Sequence, residues 1–433
     1  DLFLNNDAHT NGFSRLPLTA HAAQNKRGPG FLIKINCTGT APVYSTYLGG
    51  TGYFRSELSR YAVAVDSSGN AFVTGETSDG LPAVRAFQPS FYGGLLSTWT
   101  ASGTNVSGYR LGTDPFVAGI NSSGSSFLFS TYLNGYVDDW ANAIAVGPGN
   151  TVYVAGSGHL SAAAYDSAWT KGSAFVVRLR RGVTPIAFTR ESITNAASFV
   201  SGLPPPGGLA TVFCSKLQGI SGVVRATSFP LPYELAGVSV FVSGFPAPLL
   251  AVADVNGQQQ VNFQVLNETA DFFSADVVVK QNGNWAMVTT RFDLSPPGVF
   301  QVDGAYGAIQ HASNYSLVTP SNPAAPGEVV IVYATGLGKV EPAPPTGQPA
   351  PSSPLPVTVE QPTVTISGFP AEVLFSGLAP GFAGLYQLNV RIPQNLPAGD
   401  AEMHVSLPPV QDAWEWMPKL VPRTSQPVRI SIK

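Results

Sequence analysis

The pentapeptide Ser-Gly-Phe-Pro-Ala occurs twice, at Ser243–Ala247 and Ser367–Ala371, each time inside the same longer pattern. Upstream, Pro206-Gly207 and Pro326-Gly327 each open an apolar run, Leu209 to Leu217 and Val329 to Leu337. Downstream lie Gln260-Val261-Asn262 and Gln387-Leu388-Asn389. The copies are offset by 120 residues at Pro-Gly, 124 at the pentapeptide and 127 at the Gln-x-Asn triplet, a drift of only a few loop residues. A period this long is a duplicated domain, not a solenoid of short repeats. The C-terminal half is therefore two tandem copies of one module.

A second, unrelated repeat fills the N-terminal part. Phe31-Leu-Ile-Lys-Ile-Asn36 returns as Phe116-Val-Ala-Gly-Ile-Asn121 and as Phe175-Val-Val-Arg-Leu179. Ser45-Thr-Tyr-Leu48 returns as Ser130-Thr-Tyr-Leu133. Ala62-Val-Ala-Val65 with Gly69-Asn-Ala-Phe-Val-Thr-Gly75 returns as Ala143-Ile-Ala-Val146 with Gly149-Asn-Thr-Val-Tyr-Val-Ala-Gly156. Each unit reads as four short strands rich in Val, Ile, Phe and Tyr, punctuated by Gly-Asn turns.

Composition supports an all-β chain. Gly 45 and Pro 37 make up about a fifth of the 433 residues, but 44% hydrophobic residues supply the apolar area that disordered chains lack. Only 11% of residues are charged, against roughly 25% in ordinary globular chains. The net charge of −3 offers no basic stripe to nucleic acid. No apolar run is long enough to span a membrane. The chain begins with Asp1, so either a leader has been removed or the numbering begins inside a longer precursor.

The N-terminal blocks, together with the Leu81-Pro82 to Ala86-Phe87-Gln88 tail, resemble the bacterial SBBP repeat, which is related to the β-propeller. Phe13–Gln24 resembles a worn copy of that tail. On this alignment Asp1–Asn6 takes the place of a fourth strand, and could complete the final partial unit, Phe175–Arg190. Three sheets fall below the roughly four to eight blades of known propellers. The region is then a prism-like body, an open fragment of a longer array, or a set of edges completed by another subunit.

In the C-terminal half, Ile193-Thr-Asn-Ala-Ala-Ser198, Asn322-Pro-Ala-Ala-Pro-Gly327, Tyr333-Ala-Thr-Gly-Leu-Gly338 and Phe375 to Asn389 resemble the Solibacter uncharacterized C-terminal domain. That resemblance implies tandem immunoglobulin-like sandwiches at the end of exported bacterial proteins, and no assigned activity. The domains expected are residues 1–190, a propeller-like repeat body, then sandwiches at 191–300 and 301–433. The Pro-rich stretch 342–356 reads as an extended, exposed loop.

Candidate chemistry is sparse. Asp138-Asp139 beside Trp140 could ligate calcium or serve glycoside hydrolysis, but the first repeat has Arg55-Ser-Glu57 there, and a turn role is preferred. Asp254-Val-Asn256-Gly257 reads as a turn rather than a calcium loop. His9, His21, His159, His311 and His404 are scattered, without metal-ligand spacing, and no cofactor is expected. Cys37 and Cys214 either bridge two domains or stay as separate buried thiols. Sequons stand at Asn36, Asn105, Asn121, Asn267 and Asn314. Trp414 and Trp416, at i and i+2, either form an aromatic platform or cover an edge of the sandwich. Gln260/Asn262 and Gln387/Asn389 read as structural. These features suit a non-catalytic secreted or cell-surface protein, structural or adhesive, assembling with copies of itself by strand exchange through Asp1, Leu2, Phe3 and Leu4. The alternative is a carbohydrate-binding or carbohydrate-processing module using surface glycans, resting on Trp140, Trp414 and Trp416.

Overall fold

The computed structural model of the protein describes residues 2–3, 17–50, 61–91, 95–100, 107–111, 113–133, 140–149, 151–158, 168–171, 174–180, 185–269, 274–291, 295–412 and 419–433. Among the described residues there is no α-helix; short 3-10 turns stand at Arg190–Ser192 and Asn267–Thr269, and the regular structure is otherwise strand. The chain is all-β. It falls into two units, Asp1–Ala187 with Gly283–Thr289, and Phe188–Asn282 with Thr290–Lys433.

The first unit contains β1 (Leu2–Phe3), β2 (Gly30–Ile35), β3 (Pro42–Leu48), β4 (Ala62–Val65), β5 (Ala71–Thr77), β6 (Leu95–Thr100), β7 (Ser107–Leu111), β8 (Asp114–Ile120), β9 (Phe127–Tyr132), β10 (Trp140–Gly147), β11 (Thr151–Ser157), β12 (Ala168–Lys171) and β13 (Ala174–Arg180). They form sheets ordered β1-β2-β3, β4-β5-β8-β9 and β10-β11-β13-β12, with β6–β7 a separate hairpin. The sheets are out of phase with the sequence repeat. Each repeat runs as four strands in chain order, yet the middle sheet takes its first two strands from one repeat and its last two from the next. Completing a sheet therefore requires the following repeat.

This phase settles two expectations. Leu2–Phe3 does pair as a fourth strand of a repeat would, antiparallel to β2, with Leu2 opposite Lys34 and Phe3 opposite Ile33. It does not complete the last unit. There β12 lines the free side of β13, with Ala168 opposite Val177 and Lys171 opposite Ala174. The rest of Asp1–Asn6 lies outside the described residues.

Repetition extends to the side-chain latches. Gln24 donates its N–H to Thr46 Oγ1 at 2.8 Å and its carbonyl accepts from Tyr47 N–H at 3.1 Å. Gln88 makes the same pair with Thr131 and Tyr132, at 2.8 and 3.1 Å. The worn tail ending at Gln24 thus does the same work as the clear one ending at Gln88. The first two sheets share a core that includes Leu32, Tyr44, Val73, Phe116, Ile120 and Tyr132. The stretch 283–289 groups with this unit, Trp285 stacking on Phe87 at 4.8 Å, while its strand, Asn284–Arg291, belongs to a sheet of the first module.

In the second unit, the first module has β14 (Ile193–Asn195), β15 (Leu209–Cys214), β16 (Gly222–Arg225), β17 (Val238–Val242), β18 (Phe245–Ala247), β19 (Leu249–Val255), β20 (Gln258–Gln264) and β21 (Ser274–Gln281). One sheet is β14-β15-β20-β19-β16; the facing one runs β18-β17-β21 and ends on the strand Asn284–Arg291. The duplicated pentapeptide explains how the chain passes between sheets. Ser243 and Gly244 have φ of +50° and +85°, and Ser367 and Gly368 have +48° and +80°. Positive φ at both central residues is the type I′ hairpin, whose twist matches that of its strands. After each hairpin the chain pairs briefly with one sheet and then with the other: Phe245–Ala247 with β17 and Leu249–Val255 with β20. In the second module one strand, Phe369–Leu378, does both, pairing with Thr363–Ile366 and then with Tyr386–Arg391. Each copy carries a register shift at the same place, between Leu249 and Ala251 and between Val373 and Phe375. Such bulges bend a strand and sharpen its twist, which suits a strand that changes sheets. Inside, Val212, Val240, Val252, Val261 and Phe263 are buried in the first copy, and Val332, Leu388, Val390 and Ile430 in the second.

Candidate functional site

The two modules meet through polar groups withdrawn from water. Leu209 N–H donates to Thr335 Oγ1 at 2.8 Å, and that hydroxyl donates to the Gly384 carbonyl at 3.0 Å. The Pro-rich stretch of the second module is not a free loop, contrary to its composition. Gly347 N–H donates to Gln264 Oε1 at 2.8 Å, and Gly347 carbonyl accepts from Leu231 N–H at 2.9 Å. Thr346 Oγ1 accepts from Asn267 N–H and donates to Glu268 Oε2 at 2.7 Å. Thr346, Gly347 and Ala350 are buried. Proline lowers the entropy lost when such a stretch is fixed, and the first module supplies the partners that its amides need.

Beside this junction lies a groove of about 490 Å³ on the outer face of the first module. The side chains of β20 alternate, so Val261 and Phe263 face the core while Gln260, Asn262 and Gln264 face outward. Gln264 is taken by Gly347. Gln260 and Asn262 line the groove floor. Gln260 Nε2 donates to Asn262 Oδ1 at 3.1 Å, and Asn262 Nδ2 donates to Thr211 Oγ1 at 2.7 Å. Across the sheet, Arg225 stands opposite Ala251, Ala251 opposite Asn262, and Asn262 opposite Thr211. This row places Arg225 about 10 Å from Asn262, two strand spacings away. Arg225 is exposed and, among the described residues, has no acidic or hydrogen-bonding partner. Phe229, 46% exposed, and Phe300 complete the walls. The floor was legible as a repeated Gln-x-Asn. Arg225 and Phe229 carry no repeat, which is why sequence reasoning passed over them.

The other candidates fall elsewhere. Cys37 is exposed and Cys214 half-buried, and both thiols are free, so the bridge is not formed. Burial pushes the Cys214 thiol up to about 12. Two of the sequons are turn devices. Asn36 Oδ1 accepts from Thr40 N–H at 2.9 Å while its Nδ2 donates to Thr40 Oγ1. Asn121 Oδ1 accepts from Ser125 N–H at 2.8 Å while its Nδ2 donates to Ser125 and Ser126 hydroxyls. Asn267 Nδ2 donates to the Pro344 carbonyl at the module junction, and only Thr269 of that sequon is fully buried. Asn314 is exposed, its Oδ1 capping Ser316 N–H. Asn105, Asp138, Asp139, Trp414, Trp416, Asp1 and Leu4 lie outside the described residues, as do His9 and His159.

Asp254 caps its own turn, accepting from Gly257 N–H and from Gln259 Nε2. Trp140 opens β10 and is 41% exposed. His311 sits with Nδ1 against Glu328 Oε1 and Nε2 at 3.2 Å from the Asn322 carbonyl, and His404 Nδ1 lies 3.3 Å from the Ser425 carbonyl. Among the described residues no three His, Cys, Asp or Glu side chains gather as metal ligands, and no helix is long and apolar enough to cross a membrane.

These features define an all-β protein with propeller-type repeat sheets and two tandem immunoglobulin-like sandwiches. The SBBP family, described as a beta-propeller repeat, matches residues 43–82. No curated protein matches the chain. Among solved structures, the I9–I11 tandem of titin is 9% identical, covers 67% of this chain and 99% of its own, and has a TM-score of 0.15. The extracellular region of plexin A4 is 8% identical over 90% of this chain and 42% of its own, with a TM-score of 0.16. An endo-fucoidan hydrolase of glycoside hydrolase family 107 is 10% identical over 87% and 44%, with a TM-score of 0.14.

Proposed function

We propose that the chain is a non-catalytic protein of the bacterial exterior, structural or adhesive in role, that joins to copies of itself by strand addition. The observation that carries this reading is the phase of the N-terminal sheets. A sheet made from halves of successive repeats leaves a half-built sheet at the end of the series. Among the described residues, the first sheet has three strands where the middle one has four. Among the described residues, no strand lies outside β1, itself only two residues long. Such an edge offers unpaired backbone groups to a further strand.

The likeness of Ile193-Thr-Asn-Ala-Ala-Ser198 and of Phe375–Asn389 to the Solibacter uncharacterized C-terminal domain supports the export part of the reading. On this proposal the sandwich pair serves as the recognition module. Light scattering coupled to size exclusion, with negative-stain imaging, tests it. Multiples of the monomer mass that fall to monomer in Phe3→Pro are expected, because proline removes a ladder donor. A monomer at every concentration overturns it.

A further inference from the structure

We infer that the groove on the first sandwich is a binding site for an acidic saccharide, one carrying a carboxylate as uronic acids do. This deepens the adhesive part of the proposed function, and rests on it, by naming what the sandwich pair would recognise.

Three features of the groove point to this chemistry. The floor is a pair of primary amides. Each spends one N–H in the ladder to Thr211, and the second N–H of each amide and the Gln260 carbonyl oxygen have no partner among the described residues. Neighbouring donors and acceptors suit hydroxyl groups, which both give and accept hydrogen bonds. The walls supply the rings of Phe229 and Phe300, flat apolar faces against which the C–H face of a sugar ring can pack. At the rim stands Arg225, a cation with no counter-charge among the described residues, whose planar fork matches a carboxylate bidentately. The volume of about 490 Å³ lies within the ordinary range for small-ligand pockets.

A peptide is less well served. An extended peptide gains its affinity by pairing along a sheet edge. The groove floor is the face of a sheet, and the backbone of β20 there is already paired with β15 and β19. Only side chains are on offer. The second module keeps only part of this arrangement. Its amide pair, Gln387 and Asn389, is joined in the same way at 2.9 Å, and the arginine next along that strand, Arg391, is the counterpart of Gln264 rather than of Arg225 and is held by Glu372 at 2.8 Å.

The test is retention of the full chain on immobilised polygalacturonate, with dextran and polyglutamate as the neutral-sugar and acidic-peptide controls. Retention on polygalacturonate alone is expected. Arg225→Gln and Phe229→Ala should each weaken it tenfold or more, and Arg391→Gln should leave it unchanged. Arg225→Lys, which keeps the charge and loses the fork, should fall between, so a loss shared by all variants with a lowered melting temperature is recognised as misfolding. If it is so recognised, competition by free galacturonate against the unaltered chain decides. Equal retention on polyglutamate, insensitivity to Phe229→Ala, or no retention on polygalacturonate overturns the inference. Light scattering on the same samples reports self-assembly separately, so failure of the groove and failure of the assembly proposal are distinguishable.

Discussion

The two sandwiches are copies of one module, and they differ in what they do with their outer faces. Both keep the Pro-Gly turn, with Gly207 and Gly327 at φ of +86° and +80°, the Ser-Gly hairpin, the bulge after it and the Gln-x-Asn ladder. These are features of backbone path, and a change in any of them would move a strand. One step further along the ladder strand the copies part. Gln264 in the first is buried and accepts from Gly347 of the second, while its counterpart Arg391 is exposed and paired with Glu372. The first copy became a socket for its twin and kept a groove beside it. Duplication preserved what the backbone needs and released what only faces outward.

Several measurements would break or sharpen that contrast. The largest effect is expected in the cores. Phe263→Ala should cost about 3–5 kcal/mol, and its counterpart Val390→Ala roughly 2 kcal/mol, from the smaller volume removed. Denaturant melts resolving the two modules check this; equal losses would mean that the cores are not equivalent in use. Thr335→Ala strips the buried Leu209 N–H of its acceptor and should cost about 1–3 kcal/mol. It should also uncouple the melting of the two modules, and an unchanged joint transition would show that Thr335 does not bind them.

Gly244→Ala and Gly368→Ala should each cost about 1–2 kcal/mol, because a Cβ is strained at positive φ. Similar losses would confirm that both turns are set by the backbone. Removing the exposed Arg391–Glu372 pair by Glu372→Gln should cost at most about 1 kcal/mol, against the larger loss from Gln264→Leu at the equivalent buried position.

The last test uses pH. Folding raises the Cys214 thiol from 9.0 to about 12, so the folded state holds a proton that the unfolded state loses first. The stability this brings is complete below about pH 9 and declines as pH rises toward about 12. Cys214→Ala should remove that part of the alkaline decline, read from stability measured between about pH 8 and pH 11. A thiol reagent near pH 8 should modify exposed Cys37 and spare Cys214, since the thiolate is the reactive form.

Much of this was readable from the sequence, and the limits have physical reasons. The turns at Gly69, Gly149 and Asn256-Gly257 declare themselves because few residues tolerate positive φ. The repeated latch residues Gln24 and Gln88 show as paired tails for the same reason: each holds a backbone that must return to one place. The phase of the N-terminal sheets did not show, since a list of strands in order does not say which neighbour each one chooses. The Pro-rich stretch is exposed at 351–355 as its composition suggests, but composition describes a segment alone, and Thr346 and Gly347 are buried by partners 79 and 83 residues away. The sequons at Asn36 and Asn121 fall in tight turns, since the Asn, Ser, Thr and Gly that build such a turn also spell an acceptor site. The groove went unseen because Arg225 matters only through the row it completes across the sheet, and Phe229 only through the wall it forms beside that row.

The offset between repeats and sheets also bears on how such a chain could change length. Removing one whole repeat would take the end of one sheet and the start of the next, and the two remaining halves would be complementary. In the same way, inserting a repeat adds one complete sheet and orphans nothing. A gene built on this plan can gain or lose copies by recombination anywhere in the cycle, without ever presenting a broken blade to selection.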